Sequence, residues 1–235
     1  VASVLVSLVP PVARGSFGIA RNDDWVYARS LFDWVSTGEL TLDPWVQAMT
    51  WGHLAWAWPL AALTTENRAV LQVATTLVGL VGLVALHGLL RRWAPSWVAT
   101  TAVAVTALGP MYPLLAGSFM SDVPAFTLQV LALSAGVRAL TGPRVDWRWW
   151  AVALGLALAA FSVREYSVGV LAGLLAGLLA RRPSRREVVV AVGSLAAWVL
   201  VAGVLLWLRT STATPLWLSD VEERLSPLTV TGRGV

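Results

Sequence analysis

Residues 69–90 read AVLQVATTLVGLVGLVALHGLL and run directly into Arg91 and Arg92. Twenty-two residues without a formal charge rise about 33 Å as an α-helix, enough for the roughly 30 Å hydrocarbon core of a bilayer. A run of this length, closed by two guanidiniums, reads as a membrane-crossing helix. It makes the chain an all-α, polytopic transmembrane helix bundle rather than a soluble domain. The composition agrees: 57% of the 235 residues are hydrophobic, 13% are charged, and the mean hydropathy is +0.70. A soluble domain needs about a quarter charged residues to cover its surface, and a disordered chain is poorer still in apolar residues.

Working outward, Trp93–Ser121 is also free of charge, with Gly109, Pro110 and Pro113 loosening its second half. Val123–Val137 follows and reaches Thr141 if Arg138 snorkels. Trp149–Val163 and Tyr166–Ala180 flank Arg164 and Glu165. Together they are too long for one crossing, so they predict a helical hairpin. Val188–Leu208 is the last clear span, and Val1–Ala13 reads as the tail of an earlier one. The expectation is a single membrane domain over 1–235 with about seven spans, near 1–13, 69–90, 96–116, 122–141, 147–163, 166–181 and 188–208. The first outer loop covers 14–68, and both ends read as cut from a longer chain.

Arginine placement sets the expected orientation, because short basic loops stay in the cytoplasm. Nine of the 17 arginines fall in the 24 residues of three loops, 91–96, 138–148 and 181–187. Eleven of the thirteen acids fall on the other side or at its membrane boundary. Tryptophans near both sets of helix ends read as headgroup anchors. The net charge of +4 therefore reflects membrane topology, and no nucleic-acid partner is expected. Every basic residue is arginine, a sign of a GC-rich bacterial genome, and the expected location is a bacterial plasma membrane. Cysteine is absent, which excludes disulfides, thiolate nucleophiles and cysteine-held metals.

The loop 14–68 is not loop-like. Asn22 can cap a helix running from Asp23 to Val35, with acids in the first turn, an apolar stripe at Val26, Leu31, Phe32 and Val35, and Thr37-Gly38 ending it. This predicts an amphipathic helix on the outer leaflet. Trp45–Leu63, uncharged and holding Gly52 and Pro59, predicts a surface or dipping helix.

Four acids stand where outer helix ends meet the membrane: Asp23 and Asp24, Asp122 and Glu165. Capping would use one of the Asp23-Asp24 pair and leaves the other unexplained. Two adjacent acids repel, which raises the cost of ionising both. Asp122 after Ser121 reads equally as a cap. Arg164 and Glu165 are neighbours on the chain and do not face each other. Arg164 therefore needs an acid on another segment, such as Asp122, or an anionic ligand whose phosphate oxygens match its fork. His53 and His87 lack metal-ligand spacing, and no phosphate loop or nucleophile elbow is present.

The ordered set Arg21-Asn22-Asp23-Asp24-Trp25-Val26-Tyr27, then Gly38, Ser121-Asp122-Val123-Pro124 and Val163-Arg164-Glu165-Tyr166 resembles the GT-C superfamily of polytopic membrane glycosyltransferases. It is similar to the branch of the protein O-mannosyltransferases and the lipid A aminoarabinose transferases. The resemblance implies a hexosyl- or pentosyltransferase that moves a sugar from a polyprenyl-phosphate donor to a lipid, glycan or protein acceptor on the outer face. It implies Asp23 as general base with Asp24 as fallback, Asp122 orienting acceptor or base, Arg164 holding the donor phosphate and Glu165 in support. No cofactor is implied, and a requirement for a divalent metal is left open. The alternatives are a transporter or flippase fragment, whose span interiors would carry ionisable groups, and a non-catalytic membrane scaffold.

Overall fold

The computed structural model describes residues 2–21, 23–43, 45–46 and 48–212. Among them the chain forms α1 (Ala2–Ala13), α2 (Asp24–Thr37), α3 (Trp51–Leu63), α4 (Arg68–Leu90), α5 (Ser96–Leu108), α6 (Met111–Ala116), α7 (Asp122–Leu140) and α8 (Trp147–Val163). A 3₁₀ turn (Glu165–Val168), α9 (Gly169–Ala180) and α10 (Arg185–Thr212) follow, and no strand element occurs. The helix α4 (Arg68–Leu90), α7 and α10 are each long and apolar enough to cross a bilayer. The helices α1, α5, α8 and the turn leading into α9 are shorter and apolar. Three of the seven expected spans are thus single helices of full crossing length.

Local sequence explains most boundaries. Asn67 caps α4 by accepting from the Ala69 amide at 3.0 Å, and Asp146 caps α8 by accepting from the Arg148 amide at 3.0 Å. The run expected near 96–116 breaks at Gly109-Pro110 into α5 and α6, because proline cannot donate to the helix ladder. The hairpin turns at Arg164, whose φ of −153° and ψ of 125° are extended. The helix α3 carries Pro59 and is 13 residues long.

The helix α7 is the centre of the bundle, packed most extensively on α8 and α4. Apolar surface gives little drive for association in lipid, so close approach and interhelical hydrogen bonds matter more. Gly82 supplies the approach: a Cβ there would collide with Thr127 of α7. The Thr127 hydroxyl donates to the Val78 carbonyl at 3.0 Å, and Tyr112 of α6 donates to the Gly79 carbonyl at 2.8 Å. A second core joins α7, α8, α9 and α10, where Phe161 meets Trp198 edge to face at 5.2 Å.

At the far end of the bundle, Glu187 accepts from the Ser184 amide at 2.8 Å and the Val145 amide at 3.2 Å, tying the start of α10 to the α7–α8 connection. Arg138 lies over the Trp149 ring at 4.0 Å. Trp93 and Trp97 are exposed, as interface anchors are. Trp150 is not such an anchor: it is buried and its indole donates to Ser194 at 3.2 Å, since the hairpin and α10 close over it.

Overpacking a tight helix contact costs about 1–3 kcal/mol. Gly82→Leu should therefore lower the melting temperature of the detergent-solubilised protein by several degrees. Gly88→Leu, on the same helix with nothing within 4 Å of its would-be Cβ, should leave it unchanged. Scanning fluorimetry on both variants checks this.

Candidate functional site

The N-terminus of α7, the C-terminus of α8 and the N-terminus of α2 meet at one end of the bundle. Arg164 Nη2 donates to Asp122 Oδ2 at 3.0 Å, the cross-segment partner that its position in an apolar hairpin demands. The Tyr166 hydroxyl donates to the other oxygen, Asp122 Oδ1, at 3.4 Å. Both members of the ion pair keep partial access to solvent. Ser121 makes no side-chain cap, and Asp122 spends both oxygens on the 164–166 turn rather than on its own helix.

The helix α2 brings the Asp23-Asp24 pair to this place. Its stripe of Val26, Ala28 and Leu31 packs on Leu54, Ala57 and Ala61 of α3. Gly38, at φ 77°, ends it by donating its amide to the Trp34 carbonyl. The expected cap, Asn22, lies outside the described residues, and Asp23 precedes the first helical residue without a side-chain cap bond.

The two adjacent acids have different fates. Asp24 is fully buried, with Oδ1 accepting from the Arg21 amide at 2.6 Å and Oδ2 from the Phe119 amide at 3.4 Å. Burial pushes its carboxyl above the ordinary carboxylate value, against the pull of those amides, Gln72 and Arg68. Asp23 is exposed on the adjoining face. Tyr27, one turn along, is buried between them and the ion pair. Burial holds its phenol above the usual value while it feels Arg164, Asp122 and Asp23, and it lies toward Ser121.

Gln72 of α4 holds the approach to this pair. It is fully buried, accepts from the Gly18 amide at 2.9 Å and donates to the Ile19 carbonyl at 3.0 Å. Gly18 takes a φ of 81°, a conformation that side chains disfavour, so the loop reaches Gln72 there at little cost.

Glu165 turns away from Asp122. Its Oε2 accepts from the Met49 amide at 2.8 Å and secures the segment entering α3. Gly52 lets that entry lie on Ser162 of α8, where a Cβ would collide. His53 is fully buried, stacked on Phe119 at 4.2 Å and edge-on to Tyr27 at 5.6 Å, with Nδ1 accepting from the Trp56 indole at 3.2 Å. Thr50 Oγ1, His53 Nε2, Ser121 Oγ and Arg164 Nε are buried without a hydrogen bond of normal geometry. Among the described residues no three His, Asp or Glu side chains converge as a metal ion needs.

The structure thus joins Asp122 to Arg164 directly, leaves Asp23 exposed one helical turn from the buried Tyr27, and ties Asp24 and Glu165 to backbone amides. Tyr27, Tyr166 and Gln72 had no assigned role in the sequence. The tyrosines stand inside the two quoted motifs, Tyr27 one helical turn beyond Asp23, which is the signal that would have found them. Gln72 is a lone amide in an apolar run, another such signal.

A family model described as dolichyl-phosphate-mannose-protein mannosyltransferase matches residues 52–207, more than half of the chain. The chain belongs to that family. It is an integral membrane glycosyltransferase of the GT-C type. The match contains Asp122, Arg164, Glu165 and Gln72, while Asp23 and Asp24 lie ahead of it. No curated protein and no solved structure matches the chain.

Because Asp24 has its folded pKa raised above 3.8, its contribution to stability is fully present below that value. It is lost as pH rises through the folded pKa. Wild type should therefore lose stability relative to Asp24→Asn as pH is raised from below 3.8, with the difference levelling off above the shifted value. Melting curves of both proteins over a pH series in detergent read this directly. A difference independent of pH would show an unshifted carboxyl.

Proposed function

We propose that the chain transfers a sugar from a polyprenyl-phosphate donor to an acceptor hydroxyl at the extracytoplasmic boundary of a bacterial plasma membrane. The observation that carries this reading is the division of labour among the acids. Asp122 is occupied by Arg164 and Tyr166, Asp24 by two amides, and Glu165 by the Met49 amide. Asp23 alone of the four has an exposed carboxylate with no side-chain bond among the described residues, and it lies one turn from the buried Tyr27.

In this mechanism Asp23 accepts the proton of the acceptor hydroxyl as its oxygen bonds to the anomeric carbon. The bond from that carbon to the phosphate oxygen breaks, and its electron pair leaves with the polyprenyl phosphate. Arg164, oriented by Asp122 and Tyr166 and partly open to solvent, meets the negative charge that develops on the phosphate. Asp122 is then a positioning residue. A lipid donor keeps its tail in the bilayer, so its phosphate and sugar have to be met at the membrane boundary, where both outer helix ends and the loop 14–68 stand.

A positioned base contributes roughly 100- to 10,000-fold to rate. Asp23→Asn should lower sugar transfer by that factor in proteoliposomes supplied with polyprenyl-phosphate sugar, while melting behaviour stays that of wild type. Transfer at the wild-type rate would remove Asp23 from the role.

Arg164→Lys keeps a charge for Asp122 but loses the fork. It should weaken donor binding about tenfold or more, reading as a raised KM for donor with the acceptor KM unchanged. An unchanged donor KM would make Arg164 purely structural.

A further inference from the structure

A groove of about 340 Å³ opens between α1, α6 and the loop after α1, apart from the ion pair. Its floor is apolar, with Val6, Pro10 and Leu114, and its rim carries Arg14, Ser16 and Arg21. The loop is built to bring the two arginines to one edge. The Ser16 amide donates to the Pro11 carbonyl at 2.8 Å, and Gly15, at φ 62°, reverses the chain. Gln72 pins Gly18 and Ile19 and so returns Arg21 over Ser16, where Nη2 donates to the Ser16 carbonyl at 3.1 Å and its hydroxyl at 3.3 Å.

Among the described residues no carboxylate lies within ion-pair distance of either guanidinium. The nearest acid along the chain, Asp23, makes no ion pair with either, and its neighbour Asp24 is spent on the Arg21 and Phe119 amides. Two uncompensated guanidiniums stand directly beyond the last turn of an apolar helix, over a floor whose Val6 and Leu114 are exposed.

We propose that this groove holds an anionic membrane phospholipid, with its phosphate between Arg14 and Arg21 and an acyl chain along Val6 and Leu114. Guanidinium forks match phosphate oxygens. A free phosphate would use the rim alone, whereas a phospholipid meets the rim with its phosphate and the apolar floor with an acyl chain. A zwitterionic headgroup would bring its own cation toward the arginines, so the site prefers a lipid with net negative charge.

Native mass spectrometry on the purified chain tests this, with phosphatidylglycerol, phosphatidylcholine and inorganic phosphate as probes. Wild type should retain phosphatidylglycerol well over phosphatidylcholine. Arg14→Gln combined with Arg21→Gln should weaken phosphatidylglycerol binding tenfold or more. Equal retention of both lipids, or an unchanged affinity in the double variant, overturns the proposal, as does competition by millimolar phosphate. Should the double variant melt below wild type, Leu114→Trp supplies the second test. It fills the floor, keeps both arginines and should displace the lipid. Full retention there also overturns it.

Discussion

A guanidinium that closes an apolar hairpin cannot shed its charge, so a carboxylate has to come to it. Arg164 stands between two charge-free runs, 149–163 and 166–180, and Asp122, which opens α7, meets it at 3.0 Å. That requirement sets the end of α8 beside the start of α7 and so fixes their antiparallel register. Tyr166 completes the contact, and Glu165 uses the opposite side of the same turn to hold the segment that enters α3. Desolvation offsets much of what such a pair contributes to stability, while removing one partner costs about 3–5 kcal/mol when the pair is fully buried. This pair is only partly buried, so the cost here is smaller. Its consequence is geometric: it decides where every other polar group at this end can stand.

The Asp23-Asp24 pair shows the same constraint acting on neighbours. Successive residues at a helix start point about 100° apart, so one of two adjacent acids faces the bundle and the other does not. Burying the inner one demands donors, and two amides provide them, Arg21 three residues back and Phe119 from a distant segment. That inner acid then works as a staple between the loop before α2 and the segment before α7. The outer acid is left facing solvent.

The helical class, the hairpin at 164–165 and the need of Arg164 for a distant acid were legible in the sequence because each follows from charge against an apolar background. Asp122 was legible as that partner for the same reason. The fates of Asp23 and Asp24 were not, because adjacency along a chain says nothing about which face meets the bundle until α3 is in place. Glu165 is expected in a supporting role, and the bond its carboxylate makes, to the Met49 amide 116 residues away in the chain, is one that no local pattern announces. Trp150 was read as an anchor from its position near a helix end, yet α10 folds over it. Gln72 marks the opposite case: a single amide in α4 (Arg68–Leu90) stands out in composition, while its partners in the loop at Gly18 and Ile19 emerge only in three dimensions.

The buried polar atoms left without good partners bear on what the site is for. Each such atom costs about 1–3 kcal/mol in an apolar setting, and Thr50, His53, Ser121 and Arg164 each contribute one. A purely structural end of a bundle would be expected to fill these positions with apolar side chains, as the α7–α8 interface does with Ala132, Ala135, Ala153 and Ala157. On the proposed reading, a ligand rich in hydroxyls and phosphate oxygens would recover part of that cost on binding. On the same reading, the commitment of Asp122 to two donors holds the guanidinium in one orientation, so that it would lose little rotational freedom on meeting a phosphate.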